Sequence, residues 1–184
     1  MENYTINILN ELSEKAKKIN SQELHSFLDQ VKNAKHIFIA GTGRSGLAIK
    51  AFANRLMHLG FSVSVVGEIG SPHSQMGDLL IICSGSGENG SLNSLAEKAN
   101  RSGVKIALIT TNKASTLGKL ADAVVVLPGL MKSDTRSSNG DFSQPMGAAF
   151  EQLAFLVFDS LIITLMDDMK ETSETMFNRH ADFE

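Results

Sequence analysis

Cysteine is almost absent from this chain: Cys83 is the only one among 184 residues. That excludes an internal disulfide framework and leaves a Cys-based zinc site without its ligands. No unbroken apolar run reaches the roughly 18 residues of a membrane span. Positive charge is not in excess either. Lys and Arg number 17 against 20 Asp and Glu, a formal net charge of −3. There is no basic footprint for nucleic acid or an anionic membrane, so any bound anion must be held by local groups. Internal repeats and low-complexity tracts are missing. The opening MENYTINILNELSEK is charged and polar, unlike a signal peptide, which makes the cytoplasm the expected location.

What is present suits a soluble globular domain with a real core: 42% hydrophobic and 20% charged residues. The length fits one compact domain with helical extensions. Residues 3–32 carry apolar positions at helical spacing, first Ile6, Leu9, Leu12, Ala16 and Ile19, then Leu24, Phe27, Leu28 and Val31. Asn20-Ser21 breaks the run, with Ser21 as the expected cap. From His36 the pattern changes to short apolar runs, HIFIA (36–40), SVSVV (62–66), DLLIIC (78–83), KIALIT (105–110) and AVVVL (123–127). These lack clean alternation, as strands buried on both faces should. Helical stretches near 46–59, 90–102 and 114–120 separate them. The alternation predicts an α/β fold, a five-stranded parallel sheet of flavodoxin-like order flanked by helices. Residues 128–145 form a long irregular stretch, and such a loop is usually functional or mobile. A strong helix follows over 144–169.

Ligands in such sheets bind beyond the carboxyl ends of the strands. Two loops leave strand ends here, and both are rich in glycine and hydroxyl residues. The first is Gly41-Thr42-Gly43-Arg44-Ser45-Gly46. It fits the dinucleotide pattern G-x-G-x-x-G, with Glu68 about 20 residues on. Its plainer content is a tight turn and a helix start, which binds anions in general. The second is Ser84-Gly85-Ser86-Gly87-Glu88-Asn89. Taken alone it reads as a capped helix start. Two such loops at neighbouring strand ends point to a phosphate site. Cys83 ends a buried strand and reads as packing. His73 has no second ligand at metal spacing.

IFIAGTGRSG and LLIICSGSGEN resemble the sugar isomerase (SIS) domain. That family holds a sugar phosphate with a serine of the first loop and a Ser-x-Ser-Gly-Glu-Thr loop. The matching positions are Ser45, with Gly43 and Arg44 beside it, and Ser84, Gly85, Ser86, Gly87, Glu88 and Asn89. Asn89 stands where the family commonly has Thr. The resemblance implies a helical extension over 1–34, a sugar-phosphate-binding domain over 35–170, and a tail over 171–184 that reaches a neighbouring subunit.

GRSGLAIKAFANRLMHLGFSVSVVGE, QPMGAAFEQLAFLVFDSLI and NRHADFE further resemble the 6-phospho-3-hexuloisomerases. This implies interconversion of D-arabino-hex-3-ulose 6-phosphate and D-fructose 6-phosphate, without metal or organic cofactor. It also implies a hexulose-phosphate synthase as functional partner, the ribulose monophosphate route of formaldehyde fixation or detoxification, and a homotetramer. Moving a ketone from C3 to C2 needs a base over both carbons, and Glu151 holds the position of the family's proposed base. A solvated helix glutamate is the plain alternative. A histidine suits the proton transfer between the two substrate oxygens, with His58 and His180 as candidates. Each has a plain alternative too, a helix-end cation for His58 and an idle tail residue for His180. Arg44 reads equally as a phosphate or enediolate partner and as an exposed loop arginine. Glu88 would repel a phosphate and so should point away or orient its loop. Other SIS isomerases, or a non-catalytic sugar-phosphate sensor, remain the competing readings.

Overall fold

The structure, a computed structural model, describes residues 2–129 and 142–182. Most of the irregular stretch 128–145 therefore lies outside the described residues. Two helices come first, α1 (Thr5–Ala16) and α2 (Ser21–Asn33). The cap of α2 is Asn20 and not Ser21: the Asn20 side chain accepts the Gln22 N–H at 2.8 Å. Asparagine is as good a cap as serine, and it stands one residue earlier, where the backbone is still extended.

The sheet follows, with β1 (Ile37–Gly41), β2 (Val63–Val65), β3 (Leu79–Cys83), β4 (Lys105–Thr110) and β5 (Ala123–Val126). Its order is β2-β1-β3-β4-β5 and every pairing is parallel, as the strand–helix alternation predicts. Helix α3 (Gly43–His58) joins β1 to β2, α4 (Gly90–Arg101) joins β3 to β4, and α5 (Thr116–Leu120) joins β4 to β5. After a short 3-10 turn at Pro145–Gly147 come α6 (Ala148–Met169) and α7 (Ser173–Phe177). Helix α3 starts three residues before the expected 46, inside the glycine motif itself.

Strand side chains alternate between two cores. Ile37, Ile39, Ile81 and Val125 face α1, α2, α3 and α6. Phe38, Leu80, Ile82 and Leu108 face α4 and α5. Residues 1–34 thus feed Leu12, Phe27, Leu28 and Val31 into the same core as the sheet. Phe52 of α3 stacks on Phe158 of α6 with ring centroids 4.5 Å apart.

Pro145–Met169 is long and apolar enough to cross a membrane, with mean hydropathy 1.7. An unbroken-run criterion overlooks it because Glu151 and Asp159 interrupt the apolar residues. It is the central helix of the larger core: Phe150, Leu153, Ala154, Phe158, Leu161 and Leu165 are all buried.

The close approach of α3 to β1 rests on two glycines. A Cβ on Gly46 would lie 2.7 Å from the Gly41 carbonyl oxygen, and one on Gly41 would lie 3.0 Å from the Gly46 Cα. Both clashes are with backbone, which cannot rotate away. Gly46→Ala is expected to cost about 1–3 kcal/mol of overpacking strain. For a chain of this size that lowers the midpoint of thermal unfolding by roughly 2–12 °C. An unchanged melting curve would refute the close approach.

Candidate active site

The strand order reverses at β1. From there α3 leaves to one face of the sheet, and from the neighbouring β3 α4 leaves to the other. The two loops therefore meet at adjacent strand ends, where Gly41 is in register with Cys83.

The first loop is almost entirely helix start. Thr42 is the N-cap of α3 but makes no side-chain capping bond. The first turn, Gly43, Arg44 and Ser45, therefore presents its N–H groups uncapped, with the positive end of the helix dipole behind them. Gly43 has φ +57, and Ser45 is buried. Gly41 and Gly46, by contrast, serve packing of strand against helix. The glycine pattern thus needs no dinucleotide to explain it.

The second loop is braced from several sides. Ser84 is buried, and its Oγ accepts the Gly87 N–H at 3.2 Å. Ser86 is exposed, and its Oγ accepts the Glu88 N–H at 3.2 Å. With N–H groups occupying an acceptor side, each hydroxyl keeps its own hydrogen to donate to a ligand. Gly87 has φ +67 and passes so close to Ser115 that a Cβ would lie 2.1 Å from that hydroxyl. The Gly85 carbonyl accepts from the Thr110 and Thr111 hydroxyls at 3.0 and 2.8 Å. Asn89 caps α4, its Oδ1 accepting the N–H groups of Ser91 and Leu92 at 3.1 and 3.2 Å. At the family's Thr position this residue therefore works as a helix cap through its carbonyl oxygen.

Glu88 points away from the strand-end crevice. Its carboxylate accepts the Thr116 N–H at 2.9 Å and the Thr116 hydroxyl at 2.7 Å. These two bonds, the hydroxyl's first, hold the carboxyl below the ordinary carboxylate range.

Glu151 enters from α6 and is buried. Its neighbour Phe150 packs on the second loop, where a Cβ on Gly85 would lie 3.3 Å from the ring. The Glu151 carboxylate accepts a hydrogen bond from Arg44 Nε, forming an ion pair across the strand ends. Arg44 is thus neither a free loop arginine nor a group left wholly to phosphate. Its side chain is 62% exposed, so water screens the pair, which is worth less than the about 3–5 kcal/mol lost when a fully buried pair is broken.

Cys83 lies between these groups. Burial pushes its thiol up to about 12, the Glu151 charge adds to the rise, and a hydrogen bond with Ser45 opposes it. The Ser45 hydrogen bond and the Glu151 charge set Ser45, Cys83 and Glu151 together at one strand end. Beside this cluster a crevice of about 460 Å³ opens between the starts of α3 and α4, lined by Gly41, Gly46, Lys50, Glu68 and Ser91 among others.

The structure brings His58 and His180 to each other, not to Glu151. Their rings stack with centroids 5.1 Å apart. His58 is the last residue of α3, and Ser45 lies in its first turn. Thirteen residues at 1.5 Å each put them about 20 Å apart. The tail is held on its own chain: Arg179 donates to the His58 carbonyl oxygen at 3.0 Å and pairs with Glu171 at 2.9 Å. Thr110, Thr111, Ser115 and Thr116, which brace the second loop, were not among the expected site residues. The hydroxyl cluster of TTNKAST was their only trace in the sequence. Among the described residues no group of three or more His, Cys, Asp or Glu is placed to hold a metal ion.

An uncapped helix start beside a glycine-serine loop at the switch point of a 2-1-3-4-5 sheet defines an α/β class suited to anion binding, and the SIS domain model matches residues 30–156. The chain belongs to the SIS-domain family. Within that family it is similar along nearly all its length to proteins named 3-hexulose-6-phosphate isomerase. That of Bacillus subtilis (strain 168) is 45% identical over 98% of this chain and 97% of its own. That of Mycobacterium gastri is 37% identical over 96% of this chain and 88% of its own. A solved structure from Methanococcus jannaschii, from which a molecular function of 3-hexulose-6-phosphate isomerase was inferred, superposes with TM-score 0.80 at 32% identity, covering 98% and 96% of the two chains.

The raised thiol has two measurable consequences. At pH 8 native Cys83 should resist alkylation by iodoacetamide and react only on unfolding. The folded thiol keeps its proton to about 12, while an exposed thiol loses it near 9.0. Its contribution to stability is therefore intact below 9.0 and lost as pH rises from there toward 12. Fast labelling of the native protein would contradict this burial.

Proposed function

We propose that the chain is an isomerase interconverting D-arabino-hex-3-ulose 6-phosphate and D-fructose 6-phosphate, with Glu151 as the base. The observation that carries the reading is the buried Glu151 carboxylate, paired with Arg44 beside Ser45 at the ends of β1 and β3. The substrate phosphate lies on the α3 start and the hydroxyls of Ser45, Ser84 and Ser86. Glu151 takes the proton from C2. The C2–H electron pair becomes the C2–C3 double bond, and the C3 carbonyl oxygen takes the negative charge of an enediolate. A proton moves from the oxygen on C2 to the oxygen on C3. Glu151 then returns its proton to C3, which leaves the ketone at C2. Arg44, paired with Glu151 from the first turn of α3, is the cation assigned to this charge. The chain uses neither metal nor organic cofactor in these steps.

A histidine for the transfer between oxygens comes from a neighbouring copy, because His58 and His180 of the same chain are too far along α3. Exposed apolar side chains support assembly of copies, as a tetramer in this reading: Phe155, Leu156 and Ile163 on α6 are 43%, 51% and 60% exposed. The chain then acts in the cytoplasm after a hexulose-phosphate synthase, in the ribulose monophosphate route of formaldehyde fixation or detoxification.

The test is turnover of D-arabino-hex-3-ulose 6-phosphate, made in situ by a hexulose-phosphate synthase, with fructose 6-phosphate followed and a chelator present. Wild type should turn over, and Glu151→Gln should lose about 10²–10⁴-fold in kcat. Arabinose 5-phosphate run alongside should be left unchanged. Turnover of that sugar instead would make the chain another SIS isomerase. Binding of fructose 6-phosphate with no turnover of either would make it a sensor.

A further inference from the structure

We infer that Thr116, at the start of α5, is a positioning residue for phosphate binding, acting through Glu88. The inference rests on the reading of the second loop as the phosphate site. Glu88 has both carboxylate oxygens committed to Thr116, one to the backbone N–H at 2.9 Å and one to the hydroxyl at 2.7 Å. Its backbone N–H is given to Ser86 Oγ at 3.2 Å. The Glu88 side chain therefore fixes the backbone that in turn sets the Ser86 hydroxyl. With its acceptor side occupied by that N–H, Ser86 directs its hydrogen outward, toward an anion.

A second strut joins the same two elements. The Leu117 N–H donates to the Gly87 carbonyl at 3.1 Å. Gly87 lies against Ser115 with no room for a Cβ. Ser115 itself is tied to its own turn by the Gly118 N–H at 3.1 Å. The phosphate loop thus leans on the β4–α5 connection at two consecutive residues, Gly87 and Glu88. A loop of glycines and serines has little intrinsic order, and fixing it in advance lowers the entropic cost of binding. Glu88 thereby acquires a role compatible with its charge. A carboxylate beside a phosphate repels it, whereas one turned onto Thr116 holds the loop while keeping its charge outside the crevice.

The test compares wild type, Thr116→Val, Thr116→Ser and Glu88→Gln. Valine keeps the shape and the backbone N–H of Thr116 and removes the hydroxyl. Titration calorimetry with fructose 6-phosphate and with inorganic phosphate reads affinity, and hydrogen exchange reads the order of residues 84–92. Thr116→Val should weaken both ligands and raise KM about three- to tenfold, the loss of one hydrogen bond to a charged group after solvent screening. Its kcat should stay within about twofold, because the bond serves ground and transition states alike. Exchange of the loop amides should accelerate, Thr116→Ser should restore wild-type values, and Glu88→Gln should follow Thr116→Val in direction. Thr116→Val with wild-type affinity and wild-type exchange would overturn the inference. If wild type binds fructose 6-phosphate without isomerising the hexulose phosphate, the proposed activity fails while affinity and exchange still judge Thr116. If wild type binds neither ligand, the inference falls together with the phosphate site.

Discussion

A carboxylate removed from water has to be answered by charge or hydrogen bonds, and the Glu151–Arg44 pair is that answer here. The pair joins the fourth residue of α6 to the second residue of α3. For it to form, α6 must cross the end of the sheet with Phe150 against Gly85, and α3 must start immediately after β1. The Gly41–Gly46 contact permits the second condition, and the absence of a side chain at Gly85 permits the first. Moving the start of α3 by a turn would carry Arg44 away from Glu151, and moving that of α6 would carry Glu151 away from Arg44. The start of the central core helix and the first turn of α3 are therefore linked by this one interaction.

The other half of the site solves a different problem. A chain of net charge −3 offers a phosphate no general attraction. Around the second loop there is no lysine or arginine in the Ser84–Asn89 segment itself. In the proposed function, binding there falls to hydroxyls and to the starts of α3 and α4, whose partial charges cost no burial of a full cation. Groups this weak individually have to be aimed well. The number of internal bonds spent on the loop follows from that need: Thr110 and Thr111 hold Gly85, Ser84 holds Gly87, and Asn89 holds the start of α4.

The sheet was legible in the sequence because parallel strands buried on both faces produce short uniform apolar runs that no other element here imitates. Alternation gives the parallel sheet, and the flavodoxin-like order is the preferred choice among the doubly wound orders that share it. Helix starts were read less well. Three residues separate the expected and observed beginnings of α3, since glycine at the first turn argues against helix by propensity while the tertiary contact with Gly41 demands it. Glu151 could be nominated through the family resemblance, since its apolar neighbours alone leave a base and a solvated helix glutamate equally good readings. That Arg44 would be its partner could not be read, because 107 residues separate the two and no local pattern links them. The hydroxyls of the β4–α5 turn were missed for a similar reason: Thr and Ser in a loop look like ordinary turn chemistry until the loop they face is known.

The histidines show the limit of reasoning from residue type. His58 and Ser45 sit on one helix, so their separation is fixed by helix rise, and no adjustment of side chains shortens about 20 Å to a hydrogen bond. His180 follows His58 because Arg179 anchors the tail to the His58 carbonyl. The two imidazoles therefore form one unit at the end of α3. A unit of that kind can approach Glu151 only as part of another molecule, with the α3 end of one copy facing the α3 start of the next. If the imidazoles take part in the proposed chemistry, the active form is necessarily an assembly, and the contact that builds it has to include both ends of the same helix.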